Sequence, residues 1–270
     1  MNTNGIFIKG CFIGEPFNAV LLWEFRRELR LTRRLIRIAE KCIAEKETHV
    51  VNSFEGVCFY IARSIIWSSK SAFDNLVLGH FETVEMVIRA TIENRVTFDL
   101  IFNDEIHSLW KYYIAYSQYQ LIKGFNKNPA DCKHFIRLRE ELELPSEFFE
   151  KRGDKKPYIE LPYGWTYKLE TINPKNRFKF KGLCDAVKWS EQNYEDFQGM
   201  SGSVHGSPFF QNVTRHASVE RIMNLFSCIY INLFQLVTTY CDDIWGDDFD
   251  AVTEELESIF DHFVEVYAQA

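Results

Sequence analysis

Between Gly79 and Phe102 the residues Phe81, Val84, Val87, Ile88, Ile92, Val96 and Ile101 recur at helical spacing. That spacing lays them along one side of a long helix. No strand pattern accounts for the stretch, because a half-buried strand would alternate at every second residue. A second line crosses the apolar one: Glu82, Glu85, Arg89 and Glu93 are separated by three, four and four residues. Side chains at those intervals stand above one another, so Glu85 and Glu93 are each within reach of Arg89. The rest of the chain is read as packing around this helix.

The same period recurs elsewhere. A helix is expected from about Asn18 to Lys46, with Asn18 as N-cap after Pro16 and Leu21, Phe25, Leu29, Ile36, Ala39 and Ile43 on one side. Another is expected over Ser53–Leu78, an aromatic-rich one over Glu105–Lys123, and a short one over Leu183–Gln198. A strongly apolar helix follows over Ser218–Tyr240 and an amphipathic one over Ala251–Tyr267. Thirteen Gly and seven Pro in 270 residues leave little punctuation for a many-stranded fold. The expected architecture is an all-α bundle of about six or seven helices with an irregular insertion. Residues 1–17 form an N-terminal arm, in which residues 5–14 make either a small strand pair or irregular chain. Residues 18–125 and 183–270 supply the two helical halves, and the turn-rich, Pro-containing 126–182 segment is the insertion or lid.

Composition narrows the setting. With 46% hydrophobic and 26% charged residues the chain is globular in character. Seven cysteines without a CxxC pair read as reduced thiols of a cytoplasmic protein, and no spacing suggests a zinc site. The first residues lack the charged-then-apolar progression of a signal peptide. The most apolar segment, Leu225–Tyr240, is interrupted by Ser227, Asn232 and Gln235 and reads as a buried helix, not a membrane span. The net charge of −7 is unevenly spread: seven basic residues lie between Arg26 and Lys41, and ten acidic ones without Lys or Arg between Asp242 and Glu265. Arg26, Arg30, Arg33 and Arg37 form a stripe that is either a solvated helix face or an anion-binding surface. The run KNRFKFK, with Lys179 and Lys181, interleaves charge and aromatics as single-strand binders do; a hairpin or exposed loop explains it as well. The charge asymmetry fits either an anionic partner such as RNA for the basic end, or the two ends facing each other, within the chain or across a homo-oligomer or other protein contact.

Chemistry-bearing residues concentrate in two places, Arg89 with Glu93 and the stretch Ser201-Gly-Ser-Val204-His205-Gly206-Ser-Pro208. If the second is helical, Ser201 and His205 share a face, and Gly206 and Pro208 end it. These motifs resemble a family of uncharacterised bacterial helical proteins that carry R-x3-E on an early apolar helix and later a tyrosine followed by S-x-x-V-H-G. The matching positions are Arg89, Glu93, Tyr194, Ser201, Val204, His205 and Gly206, within residues 55–240. In general layout that family is similar to the HEPN ribonucleases of bacterial defence and toxin systems. Those carry R-x4-6-H on one helix, a spacing absent here, so the likeness extends to fold alone.

If packing brings Arg89 close to His205, a metal-independent cleavage of RNA without cofactor is expected from these residues. His205 would move a proton at the RNA 2′-hydroxyl or the leaving oxygen, and Arg89 would neutralise the phosphorane. Glu93 would hold Arg89, and Ser201 or Tyr194 would orient phosphate or imidazole. The same residues equally compose a hydrogen-bonded network fixing helix register in a non-enzymatic interaction or sensor module. No Gly-rich phosphate loop, nucleophile elbow or HExxH is present.

Overall fold

The computed structural model describes residues 7–8, 11–12, 25–46, 52–104, 108–188, 194, 197–198 and 219–240, with single helical positions at 254, 258 and 261. The fold is an all-α bundle. Its described helices are α1 (Arg26–Glu45), α2 (Phe54–Val77), α3 (Phe81–Phe102), α4 (Leu109–Gly124), α5 (Lys133–Leu142), α6 (Phe180–Ala186) and α7 (Val219–Tyr240). In the N-terminal arm Phe7–Ile8 pairs antiparallel with Cys11–Phe12, the strand-pair alternative of the sequence reading. The expected N-cap Asn18 lies outside the described residues. Two compact units are distinguished, one of residues 1–47, 62–95 and 195–270, the other of 48–61 and 96–194.

In the first unit α1 is sharply two-faced. Leu35, Ile36, Ala39, Cys42 and Ile43 are buried, while all seven cations between Arg26 and Lys41 are exposed. Burial of each such aliphatic side chain contributes about 1.5–3 kcal/mol, which offsets chain entropy along the helix. α1 lies against α7: Phe25 and Phe226 place their rings 5.8 Å apart, and the Lys46 ammonium sits 4.4 Å from the Tyr240 ring centroid. The two helices therefore run parallel. On α7, Ile222–Tyr240 is long and apolar enough by length and composition to cross a membrane (mean hydropathy 1.4); 61% of it is buried inside the protein.

α1 also meets α2. The Arg33 guanidinium lies 5.7 Å from the Phe73 ring, and Lys70 donates to Glu40. The turn from α2 into α3 is built from Gly79 in the left-handed region (φ 78). Gly79 N–H donates to Leu76 O and His80 N–H to Asn75 O, the paired bonds of a glycine-terminated helix end. His80 is exposed, and its role there is that of a cap residue.

The second unit gives the 126–182 segment a core of its own. Phe135, Leu138, Leu142, Phe148, Ile159 and Trp165 are buried, carried by α5 and by single helical turns at Ser146–Phe148, Tyr158–Glu160 and Gly164–Thr166, and Ile172 of the following loop is buried with them. Rings bind these turns to α4. Tyr112 meets Phe148 and Tyr167 edge-on at 5.2 and 5.5 Å, Tyr158 stacks on Tyr167 at 4.3 Å, and Tyr113 meets Trp165 at 5.3 Å. The tyrosine hydroxyls are tied off: Tyr119 donates to Glu160 Oε1 (2.7 Å) and Tyr167 to Glu147 Oε1 (3.0 Å). Hydrogen-bonded rings of this kind fix loops that have no repeating backbone pattern.

Two helices begin or end differently from the sequence expectation. α4 starts at Leu109 because the Asp104 carboxylate accepts the N–H groups of Ser108 (2.6 Å) and Leu109 (2.8 Å), capping the helix there. The helix expected over Leu183–Gln198 is interrupted: α6 stops at Ala186, and the described residues Tyr194, Phe197 and Gln198 are helical again. At the break Lys188 takes φ 56, a left-handed conformation that ends the first helical run.

Candidate functional site

Arg89 and Glu93 both lie on α3, within the first unit. One helical turn separates them, and Arg89 Nε stands 3.9 Å from Glu93 Oε1 with side chains 22% and 37% exposed. That separation makes an ion pair in partly wet surroundings, not a tight hydrogen-bonded fork. The Arg89 guanidinium centre lies 4.9 Å from the Phe197 ring centroid. Phe197 is buried and helical. Its position in the chain is what matters: it precedes Ser201 by four residues and His205 by eight. A ring over a guanidinium is attractive through the quadrupole of the aromatic face. Arg89 Nη1 is buried and has no hydrogen-bond acceptor among the described residues. One donor of the fork is thus left for an oxygen that the described residues do not supply.

Around this pair α3 is more polar than its apolar line suggests. Glu85, Thr91, Arg95, Thr97 and Asp99 are buried, Arg95 at 3% exposure. Arg95 was not singled out by the sequence reading, although a signal exists: it follows Ile88 by seven residues and Ile92 by three, which puts it on the apolar face. Thr91, Arg95 and Asp99 are spaced by four and continue that line. Across the helix pair, Asn94 Nδ2 donates to Ser64 Oγ of α2 at 3.2 Å.

Of the other residues expected at the site, Ser201 and His205 lie outside the described residues, as do Val204 and Gly206. Tyr194 is described, half-buried and part of the second unit, where the Lys181 ammonium lies 5.5 Å from its ring centroid. Lys179 and Lys181 are both exposed. The stripe Arg26, Arg30, Arg33 and Arg37 is exposed along α1; Arg30 Nε donates to the Arg26 carbonyl at 3.3 Å, and Arg33 leans on Phe73. The five cysteines whose side chains are described, Cys42, Cys58, Cys132, Cys184 and Cys228, are thiols and not disulfide-bonded. No cluster of three His, Cys, Asp or Glu side chains occurs among the described residues.

No family model matches this chain, and no match is found among curated proteins or among solved structures.

Proposed function

We propose that the chain is a metal-independent ribonuclease of the bacterial defence or toxin type, acting in the cytoplasm through Arg89, Glu93 and His205. The observation that carries this reading is the Arg89 guanidinium. It is held on one side by Glu93, covered by the ring of Phe197, and left with an N–H lacking an acceptor among the described residues. A cation so held is suited to a phosphate oxygen, because its geometry is set before the ligand arrives. Phe197 belongs to the same stretch of chain as the Ser201–His205 motif.

In this reaction the RNA 2′-oxygen attacks the adjacent phosphorus and the P–O bond to the next nucleoside breaks. The products are a 2′,3′-cyclic phosphate and a free 5′-hydroxyl. His205 takes the 2′-hydroxyl proton or returns one to the leaving oxygen, a role suited to a group that titrates near neutrality. Arg89 meets the charge gathered on the phosphorane, Glu93 keeps the guanidinium in place, and Ser201 positions phosphate or imidazole.

The test is incubation of purified protein with total RNA in EDTA, beside His205→Ala and Arg89→Ala. Cleavage that survives chelation and vanishes in both variants supports the enzyme. A second reading, a non-enzymatic interaction or sensor module, is supported by the other polar groups of α3, since Thr91, Arg95 and Asp99 are buried. Its signature is wild-type inactivity with variants that are only less stable.

A further inference from the structure

We propose that residues 151–181 present a phosphate-binding surface for RNA, centred on Arg152, Lys155 and Lys156 at one end and Arg177 and Lys179 at the other. It rests on the RNA substrate of the proposed function and not on the catalytic residues. Residues 151–181 hold nine Lys and Arg against three acids, in a chain whose net charge is −7. The seven lysines are exposed and the two arginines half-buried. Rings bring the two ends of the run together. The Arg152 guanidinium centre lies 3.7 Å from the Tyr158 ring centroid, and Phe178, between Arg177 and Lys179, meets the same ring at 5.9 Å. Tyr167 stacks on Tyr158 at 4.3 Å, so Arg152 takes the opposite face. The Lys168 ammonium lies 5.7 Å from the Tyr167 centroid. Arg152 and Lys155 exchange backbone bonds, Arg152 Nη2 donates to Lys156 O at 3.1 Å, and Arg177 Nη2 donates to Leu169 O at 3.5 Å. Cations carried on turns tied down in this way meet an anion with little ordering left to do.

The composition of this surface selects its occupant. Protein interfaces are depleted in lysine and built on apolar or aromatic anchors, and a membrane-surface site pairs its cations with apolar side chains that insert. Residues 151–181 expose no large apolar side chain. Surfaces that take nucleic acid are polar and strongly positive, as this one is. Tyr158 is covered on both faces, by Arg152 and Tyr167, so it offers no platform for a base. What the surface offers is cations for the sugar–phosphate backbone, a contact that positions RNA without reading its sequence. The acids in or beside the run do not cancel it. Glu147 and Glu160 accept the hydroxyls of Tyr167 and Tyr119, and Asp185 accepts from Asn176 Nδ2 at 3.4 Å. Glu150, Asp154 and Glu170 stand against nine cations.

The experiment measures fluorescence anisotropy of labelled oligouridine in EDTA over a series of salt concentrations. Wild type is compared with the triple variant Lys155→Gln, Lys156→Gln, Lys179→Gln and with a control pair, Lys127→Gln, Lys133→Gln. All five lysines are exposed and the control pair lies outside the run, so melting temperatures stay together. Each phosphate contact to a single strand contributes about 0.7 to the slope of log affinity against log salt. The triple variant therefore lowers that slope by about 2 and weakens binding about 100-fold at roughly 0.1 M salt, while the control pair binds as wild type. An unchanged slope in the triple variant overturns the surface, as does an equal loss in the control pair. A wild type that binds polyglutamate or phosphatidylserine vesicles but no RNA overturns it in favour of a protein or membrane partner. Lysine-dependent binding by a protein that cleaves nothing upholds the surface and removes the reaction. Cleavage with binding untouched in the triple variant does the reverse.

Discussion

Replacing Arg89 by Met separates a working guanidinium from a structural one, because the structure makes its stability cost small. The ion pair with Glu93 spans 3.9 Å between groups 22% and 37% exposed, worth about 0.3–0.5 kcal/mol for an i,i+4 pair. The ring of Phe197 adds about 0.5–1 kcal/mol. Against these, the substitution removes a buried N–H without an acceptor among the described residues, which returns part of a desolvation cost of about 1–3 kcal/mol. The net loss is then at most about 1 kcal/mol, a fall of roughly 3 °C in melting temperature. Arg95→Met is the internal control: Arg95 is 3% exposed and stands outside the proposed reaction, so its replacement alters stability and leaves cleavage by the folded protein unchanged. If Arg89 stabilises the phosphorane, its removal lowers cleavage about 100-fold or more. Calorimetry and RNA cleavage on the two variants check both halves. A loss above about 3 kcal/mol for Arg89→Met would refute the reasoning, since the pair would then be a network that holds the fold. Unchanged cleavage would refute it from the other side.

Three further outcomes are expected. Gly164→Ala places a methyl against the Tyr158 backbone carbonyl, which cannot move as a side chain tip can, so the cost is about 3 kcal/mol by chemical denaturation; a near-neutral result would mean the turn re-forms freely. Tyr119→Phe removes the bond to Glu160 and costs about 1 kcal/mol, with little change in far-ultraviolet dichroism. The third concerns alkaline pH. Burial raises the hydroxyls of Tyr113, Tyr116, Tyr119 and Tyr167 above the ordinary value of 10.0, and the carboxylates of Glu160 and Glu147 push Tyr119 and Tyr167 further. The unfolded chain ionises these groups first, so stability is full below about pH 10 and falls as pH rises beyond it. Ultraviolet tyrosinate titration then shows a late-titrating class that Tyr119→Phe diminishes.

Helix by helix, what the sequence disclosed depended on whether burial imposed a period. The apolar lines over 54–77, 81–102 and 219–240 were legible because each helix has a long face turned to the interior, and the observed limits agree to within two residues. The start of α4 was less so, since Glu105-Ile106-His107 continues a helical composition and only the Asp104 carboxylate marks the true beginning. The interior of 126–182 left no periodic trace. Its buried residues sit on single turns and on loops with left-handed positions at Asn126, Glu143, Tyr163 and Phe178, where neighbours in sequence share no face. The pairing of Arg89 with Glu93 was legible from spacing alone. The ring of Phe197 over Arg89 and the Arg63–Trp67 stack were not, one joining residues more than a hundred positions apart and the other depending on side-chain direction.

The pinch at Gly164 has a consequence for how this chain can diverge. Tyr163 bends back at φ 52 so that the next residue presses on main chain laid down six positions earlier, while Tyr158 itself lies flat on Tyr167. The knot closes only at one length. A descendant that gains or loses a residue between 158 and 164 must therefore rebuild the whole tyrosine stack, whereas the exposed tip at Gly153 can lengthen without disturbing it.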